Sequence, residues 1–180
     1  MRLFIALDID EEIRARISAY MDRARALAPH ARWARVEGLH VTLKFIGHVQ
    51  DERGQEIQAA LSHVQAGPFP VKFANAGFFP HAKAARICWI GVDGGESLPS
   101  LASAVDAALE KIGIAREEKP YTPHLTLARA SSSPLRELQT LLQEEQPQFG
   151  TMTAREFFLY ESQPQRGGSK YTKLKKFVLG

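Results

Sequence analysis

The stretch HVTLKFIG, residues His40–Gly47, has a close counterpart far downstream in HLTLAR, residues His124–Arg129. Both begin with a histidine, an aliphatic residue, a threonine and a leucine. Residues two apart in a β-strand point to the same face. A strand at each site therefore places its histidine and threonine on one face and its aliphatic residues on the other. The aliphatic face predicts packing on a core, and the polar face needs a different explanation.

Two histidines and two threonines that converge on one cleft suit phosphodiester chemistry. Imidazole titrates near neutral pH, so a neutral ring can take a proton from water while a protonated ring gives one to a departing sugar oxygen. Threonine hydroxyls can donate hydrogen bonds to the non-bridging phosphate oxygens. A single His-x-Thr is commonplace, but two matching copies predict a site built from His40, Thr42, His124 and Thr126.

The residues after each tetrapeptide are further candidates. By strict alternation Lys44 shares the face of His40, where it is a possible substrate ligand, although strand lysines more often reach solvent. Phe45 is then expected on the opposite face, in the core, unless it stacks on a base at the strand end. A cation such as Lys44 or Arg129 would stabilise phosphate charge. Alternation turns Arg129 away from His124, so its participation requires the strand to bend or end there.

Two other segments have alternative interpretations. Tyr121 either flanks the cleft as a possible substrate-binding residue that stacks on a nucleobase, or is a packed tyrosine. The segment KYTKLKK, residues 170–176, either tracks an RNA backbone or is a solvated edge that discourages strand-to-strand aggregation. The second interpretation of the basic segment is favoured.

Composition excludes several classes of protein. The 180 residues are 44% hydrophobic and 24% charged, as in a soluble globular domain. The net charge of +3 weakly favours a polyanionic partner such as RNA. No apolar run approaches the roughly 20 residues of a membrane span, and the opening residues do not resemble a secretory signal. We expect a cytoplasmic monomer without membrane association.

Neither a metal nor a cofactor is expected. The remaining histidines lack the short spacing of a zinc site, and the single cysteine, Cys88, can form no internal disulfide. No glycine-rich phosphate loop supports ATP-driven ligation.

The order of elements suggests an internal duplication. Strand, helix, strand, helix and two strands are predicted first, followed by helix, strand, helix and two strands, with one His-x-Thr strand in each half. Asp10 is the expected N-cap of the first helix. The predicted class is α+β: one bilobal domain over residues 1–180, with pseudo-twofold duplicated architecture and two antiparallel-rich sheets that line a central cleft, helices outside.

The two motifs and their flanks resemble those of the two-histidine phosphoesterase superfamily, and within it the bacterial RNA 2′,3′-cyclic phosphodiesterases, also called 2′-5′ RNA ligases. RLFIALDI resembles the family's first strand, RWARVEGLHVTLKFIG and PYTPHLTLAR its two motif regions, and FFLYES with KYTKLKKF its closing hairpin. The likeness runs nearly end to end.

This resemblance implies a metal-independent enzyme that opens a terminal RNA 2′,3′-cyclic phosphate to a 2′-phosphomonoester, with possible reversible 2′-5′ ligation. The resemblance also implies that His40 is the proton donor and His124 the proton acceptor. It further implies that Thr42, Thr126 and Arg129 are phosphate ligands. Two alternatives stay open: a non-catalytic RNA- or nucleotide-binding module, and the same chemistry on small cyclic nucleotides or 2′-5′ oligonucleotides.

Overall fold

A computed structural model describes the backbone of residues 1–180 and all side chains except those of residues 142–144. The helices are α1 (Glu11–Leu27), α2 (Arg53–Leu61), α3 (Ser97–Glu110) and α4 (Leu138–Glu144). The strands are β1 (Arg2–Leu7), β2 (Arg32–Trp33), β3 (Val41–His48), β4 (Phe69–Phe79), β5 (Ile87–Asp93), β6 (His124–Arg129), β7 (Gln148–Ala154), β8 (Glu156–Gln165) and β9 (Gly168–Val178). Within the described chain, no helix is long and apolar enough to cross a bilayer.

The strands form two antiparallel sheets, which confirms the predicted α+β class. One sheet has four strands in the order β3-β1-β8-β9, and the other has five in the order β2-β6-β5-β4-β7. Without β2 the two orders correspond strand for strand, β3 with β6, β1 with β5, β8 with β4 and β9 with β7. Each motif strand therefore has the same neighbours in its own sheet.

Each sheet draws on both halves of the chain, which the sequence order of the elements does not reveal. Strand β4 follows β3 in sequence but lies in the five-stranded sheet beside β5. The hairpin of β8 and β9 returns to the four-stranded sheet, where β8 pairs with β1. The two strands that sequence reasoning missed, β2 and β7, both lie at edges of the five-stranded sheet.

The buried apolar side chains form one large cluster that includes residues of both sheets and of all four helices. Helix α1 contributes a stripe of Ile13, Ile17, Tyr20 and Met21 at helical spacing. Asp10 occupies the N-cap position of α1, but its side chain makes no capping hydrogen bond.

A second, smaller cluster marks the other face of the four-stranded sheet. Phe4, Ala6, Phe158 and Tyr160 are buried there, separate from the main core. Phe4 stacks on Tyr160 with ring centroids 5.0 Å apart. Aromatic rings therefore cover this face. The His40 ring lies against them, with its centroid 4.8 Å from that of Phe4.

Candidate active site

Strand β3 contains a bulge directly after its threonine. Its pairing with β1 aligns Thr42 with Ala6 and Lys44 with Ile5, so Leu43 is an extra residue on β3. Two successive residues then point to the same side of the strand. Leu43 and Lys44 are accordingly both buried, and the alternation predicted from the sequence reverses after Thr42.

Strand β6 contains the same bulge at the corresponding place. Its pairing with β5 aligns Thr126 with Trp89 and Ala128 with Cys88, so Leu127 is the extra residue. From the histidine onward, the two motifs have the same sequence of burial: partial, buried, partial, buried, buried, exposed. The sequence repeat therefore corresponds to a repeat of backbone geometry.

The bulges decide which side chains reach the histidine faces. Arg129 is exposed and returns to the side of His124 and Thr126, as its participation requires. Phe45 returns in the same way to the side of His40. It is 62% exposed, with its ring 6.1 Å from that of Phe4. The expectation that Phe45 lies in the core was wrong, because strict alternation does not hold across a bulge. Its exposed ring on the side of His40 is placed as the alternative interpretation, stacking on a base, requires.

Lys44 also differs from the sequence-based expectation. Its side chain is 4% exposed; the ammonium group forms an ion pair with Asp106 of α3 and donates to the Ala115 carbonyl at 2.8 Å. Asp106 also accepts a hydrogen bond from the Glu117 backbone N–H. Burial acts to raise the pKa of Asp106, but the bonds from Lys44 and Glu117 outweigh it and hold that pKa below its usual value. Lys44 thus joins β3 to the chain segment before β6 and does not share the histidine face.

Tyr121 provides a second connection between the two motif strands. Its hydroxyl donates to the Thr42 carbonyl at 2.9 Å, and its ring packs against the main core. Burial raises the pKa of this hydroxyl. These contacts support the interpretation of Tyr121 as a packed residue that holds β3 in place.

Each histidine ring is oriented by a backbone carbonyl two residues earlier. His40 Nδ1 lies 2.7 Å from the Gly38 oxygen, and His124 Nδ1 lies 2.8 Å from the Thr122 oxygen. A carbonyl oxygen can only accept, so Nδ1 carries the hydrogen in both rings. In the neutral form, Nε2 of each ring is then the nitrogen that can accept a proton.

An aromatic ring packs edge-on against each histidine. The Tyr171 ring lies 5.1 Å from that of His40 at 86°, and the Phe79 ring lies 5.0 Å from that of His124 at 88°. These contacts limit rotation of both imidazoles. The two catalytic candidates are therefore held in matching ways on two separate sheets, and β3 and β6 contact each other.

Comparison with known proteins identifies the family. The sequence profile of the 2′-5′ RNA ligase superfamily matches residues 10–166. The chain belongs to this superfamily. An Archaeoglobus fulgidus protein named RNA 2′,3′-cyclic phosphodiesterase is 32% identical over 177 residues, 98% of this chain and 99% of the relative. The Escherichia coli protein of that name is 30% identical over 181 residues, 99% of this chain and 96% of the relative.

Solved structures agree with this assignment. The crystal structure of Escherichia coli LigT complexed with 3′-AMP has a TM-score of 0.80 and 28% identity, with 99% of this chain and 97% of that chain covered. A Thermus thermophilus protein gives a TM-score of 0.82 at 28% identity, with 99% and 98% covered. The two-sheet fold is thus that of 2′-5′ RNA ligase superfamily proteins.

In this superfamily member the two histidines also interact electrostatically. Burial lowers the pKa of His40 below its ordinary value of 6.5, and a positive charge on His124 lowers it further. The Gly38 carbonyl and the Asp8 carboxylate oppose this shift. The neutral form of His40 is consequently favoured in the ligand-free protein.

The two threonines complete the candidate site. Thr42 and Thr126 are both partly exposed on the histidine sides of their strands. Among the described residues, neither hydroxyl has a hydrogen-bond partner within the protein, so both are available to an external ligand. The same part of the chain holds no group of three or more His, Cys, Asp or Glu arranged to bind a metal ion.

Sequence reasoning missed the group that supports His40. The Arg14 guanidinium is nearly buried; it donates to the Val36 carbonyl at 2.5 Å and to Asp8 at 2.5 Å. Val36–Gly38 is the short 3-10 turn that presents the Gly38 carbonyl to His40. The available signal was weak, since Arg14 differs from other arginines only by its position beside the apolar stripe of α1.

The basic C-terminal segment is divided between two environments. It lies on β9, an edge strand of the four-stranded sheet, as the solvated-edge interpretation requires. Lys173, however, forms an ion pair with Asp8 and lies 4.2 Å above the Phe158 ring. Tyr171 is in contact with His40. Part of this segment thus belongs to the surroundings of the site.

Proposed function

We propose that this chain is a metal-independent RNA 2′,3′-cyclic phosphodiesterase in which His40 and His124 act as general acid and general base. The observation that carries the proposal is the matched pair of imidazoles, each with Nδ1 bound to a carbonyl and with no hydrogen bond to Nε2 from the described residues. The names of the full-length relatives support the cyclic phosphodiesterase activity. RNA with a 2′,3′-cyclic phosphate end is accordingly the proposed substrate.

The chemistry requires one proton to be removed and one to be delivered. Nε2 of His124 takes a proton from water as the water oxygen attacks phosphorus. The bond from phosphorus to the 3′-oxygen breaks, and Nε2–H of His40 protonates that oxygen. The products are a 2′-phosphomonoester and a free 3′-hydroxyl. With an RNA 5′-hydroxyl in place of water, the same steps form a 2′-5′ bond.

The lowered pKa of His40 is compatible with its role as the acid. A cyclic phosphate is an anion, and a nearby negative charge favours the protonated form of an imidazole. Substrate binding therefore restores the proton that burial disfavours. Thr42, Thr126 and Arg129 are the proposed donors to the non-bridging oxygens, where negative charge increases in the transition state.

The test uses a short RNA that ends in a 2′,3′-cyclic phosphate, incubated with EDTA. We expect wild-type protein to open the ring and leave a 2′-phosphate. His40→Ala and His124→Ala should each lower the rate by a factor of about 10² to 10⁴, as for the loss of a general acid or base. Turnover that persists unchanged in both variants rejects the mechanism.

The alternatives are separated by the same assay. A binding module would retain the RNA without turnover, with an affinity that falls steeply as salt rises. An enzyme for small cyclic nucleotides would favour mononucleoside 2′,3′-cyclic phosphates over RNA oligomers. The first pattern would reject the enzymatic function, and the second would change the assigned substrate from RNA to a small cyclic nucleotide.

A further inference from the structure

We propose that Arg14 and Asp8 are positioning residues for His40, which hold the turn that orients its ring. We call them the Arg14–Asp8 pair. The inference rests on the proposed function, in which Nε2–H of His40 protonates the departing 3′-oxygen. An imidazolium that gives up its proton from Nε2 becomes neutral with the hydrogen on Nδ1. The Gly38 carbonyl, 2.7 Å from Nδ1, can accept from that nitrogen in both forms. The position of this carbonyl therefore decides where Nε2 points.

The turn that presents the Gly38 carbonyl has little support of its own. Its 3-10 segment has three residues, Val36–Gly38. It is closed by backbone hydrogen bonds from Gly38 N–H to the Arg35 carbonyl at 3.0 Å and from Leu39 N–H to the Val36 carbonyl at 3.3 Å. Hydrogen-bond geometry in 3-10 turns is poorer than in α-helices. Contacts from outside the turn are therefore needed to fix the Gly38 carbonyl.

The Arg14 guanidinium supplies these contacts from α1. It donates to the Val36 carbonyl at 2.5 Å and lies 3.5 Å from the Leu39 carbonyl oxygen, so it contacts the turn on both sides of Gly38. The Arg14 side chain is only 9% exposed. A guanidinium is planar and its donors have fixed directions, whereas an ammonium group is a compact charge on a flexible stem. Arginine can therefore hold the turn and a carboxylate at the same time in one geometry.

Asp8 holds the guanidinium in place. Its Oδ1 accepts from Arg14 Nη2 at 2.5 Å and from the Ile9 backbone N–H at 2.9 Å, and its Oδ2 forms an ion pair with Lys173 of β9. A nearly buried cation without a carboxylate partner would be costly. The Arg14–Asp8 pair thus connects the end of β1, helix α1, strand β9 and the turn before β3. All four line the same cavity as His40.

His124 has no equivalent support among the residues that the structure describes. Its Nδ1 donates to the Thr122 carbonyl at 2.8 Å, but in this part of the chain no charged side chain donates to a carbonyl of residues 120–124. The bond of His124 is exposed, whereas that of His40 is partly buried. The proposal therefore predicts an effect confined to His40, with His124 as a reference in the same molecule.

The charges around His40 act in opposite directions, so that orientation and charge can be separated. Burial is the largest influence on the pKa of His40 and lowers it; the Gly38 hydrogen bond and Asp8 raise it, while His124 and Arg14 lower it. The same cavity is also lined by Glu37, Lys170 and Lys173. An Arg14 that acted through charge alone would, when removed, raise this pKa and leave the ring in place. An Arg14 that acts through the turn would, when removed, weaken the Gly38 bond and populate the Nε2–H tautomer.

The experiment measures the tautomer of each histidine. Protein labelled with ¹⁵N at histidine is titrated by NMR, in which the chemical shifts of the two ring nitrogens distinguish Nδ1–H from Nε2–H. We expect both neutral rings of the wild type to be Nδ1–H. In Arg14→Met the His40 ring should become a mixture of tautomers, while the His124 ring stays Nδ1–H. Asp8→Asn keeps an acceptor for Arg14 but removes the charge, so it should keep the tautomer and lower the pKa of His40.

Turnover of a mononucleoside 2′,3′-cyclic phosphate gives a second measure. A misdirected Nε2 in Arg14→Met should lower kcat on the order of tenfold or more, because displacement of a reacting group costs rate. KM should change by less than about threefold, since Arg14 is not a proposed phosphate ligand. Arg14→Lys keeps the charge without the planar group and should lie between the wild type and Arg14→Met in both tautomer ratio and kcat.

Arg16→Met is the matched control. Arg16 also donates from α1 to a backbone carbonyl, that of Phe149 at 2.9 Å, and its removal should change neither the tautomer nor kcat. A His40 tautomer or a kcat that stays at the wild-type value in Arg14→Met overturns the inference while the phosphodiesterase stands, and so does an equal tautomer change at His124. Should Arg14→Met fail to fold, wild-type behaviour of Arg14→Lys overturns it instead. Wild-type protein that opens neither this substrate nor RNA overturns the proposed function itself.

Discussion

Strands β3 and β6 bulge at the same place, after the threonine of the motif, and then present different side chains at matching positions. Lys44 corresponds to Ala128, and Phe45 corresponds to Arg129. The first position after each bulge faces the interior. In β3 it holds a lysine that binds α3, and in β6 it holds an alanine, which offers only a methyl group. The second position faces the side of the histidine. The two strands thus share one backbone geometry, while the side chains after the bulge differ in what they contact.

A second difference lies on the neighbouring strands. Thr42 is paired with Ala6, whereas Thr126 is paired with Trp89. The Trp89 ring lies over Gly77, where a Cβ atom would come within 2.4 Å of it. An indole therefore fills the His124 side at the position where the His40 side has only a methyl group. Under the proposed function, this asymmetry agrees with a small nucleophile beside His124 and the larger ribose of the leaving group beside His40.

The largest effect is expected from removal of the Lys44 charge. Lys44→Met leaves the Asp106 carboxylate, 13% exposed, without its main partner. A buried ion pair that loses one member typically costs about 3–5 kcal/mol. We expect the free energy of unfolding, measured by urea denaturation, to fall by that amount.

The double variant Lys44→Met/Asp106→Leu provides the control for this prediction. Replacement of both charges by apolar groups should recover most of the lost stability, since no charge then remains buried alone. A single variant as stable as the wild type would instead mean that Lys44 does not hold β3 to α3. The corresponding residue, Ala128, offers no such pair to break.

The sequence was sufficient to predict the two-sheet class and the position of the histidines and threonines on one face of two strands, because these depend on local alternation and on an internal repeat. It did not predict the bulges, which depend on pairing with β1 and β5. This is why Lys44 and Phe45 were assigned to the wrong faces. The repeat did contain a usable signal: if Arg129 is to reach the cleft, the corresponding residue Phe45 must turn the same way.

The next effect concerns Arg129 and its counterpart in β3. Under the proposed function, Arg129→Ala removes a cation that stabilises charge on the phosphate oxygens. Loss of one such donor lowers rates by a factor on the order of 10². Phe45→Ala removes no donor to the phosphate but takes away an exposed ring on the side of His40. We therefore expect a smaller loss of kcat/KM for a mononucleoside 2′,3′-cyclic phosphate, on the order of tenfold at most, as for one base–aromatic contact. Similar losses in both variants would show that the two strands are less specialised than their side chains indicate.

The smallest effect is expected in the pH dependence of the reaction, through the protonation of His40. Burial lowers the pKa of His40, so the free protein loses the acid form as pH rises through a value below 6.5. The alkaline limb of kcat/KM, which reports the free enzyme, should therefore lie below that pH. Bound phosphate anion favours protonated imidazole, so the alkaline limb of kcat should lie at higher pH.

NMR titration of the His40 ring, with and without inorganic phosphate, measures both directions of the pKa shift independently of turnover. A His40 pKa above 6.5 in the free protein, or one that falls when phosphate binds, would contradict the assignment of His40 as the buried acid.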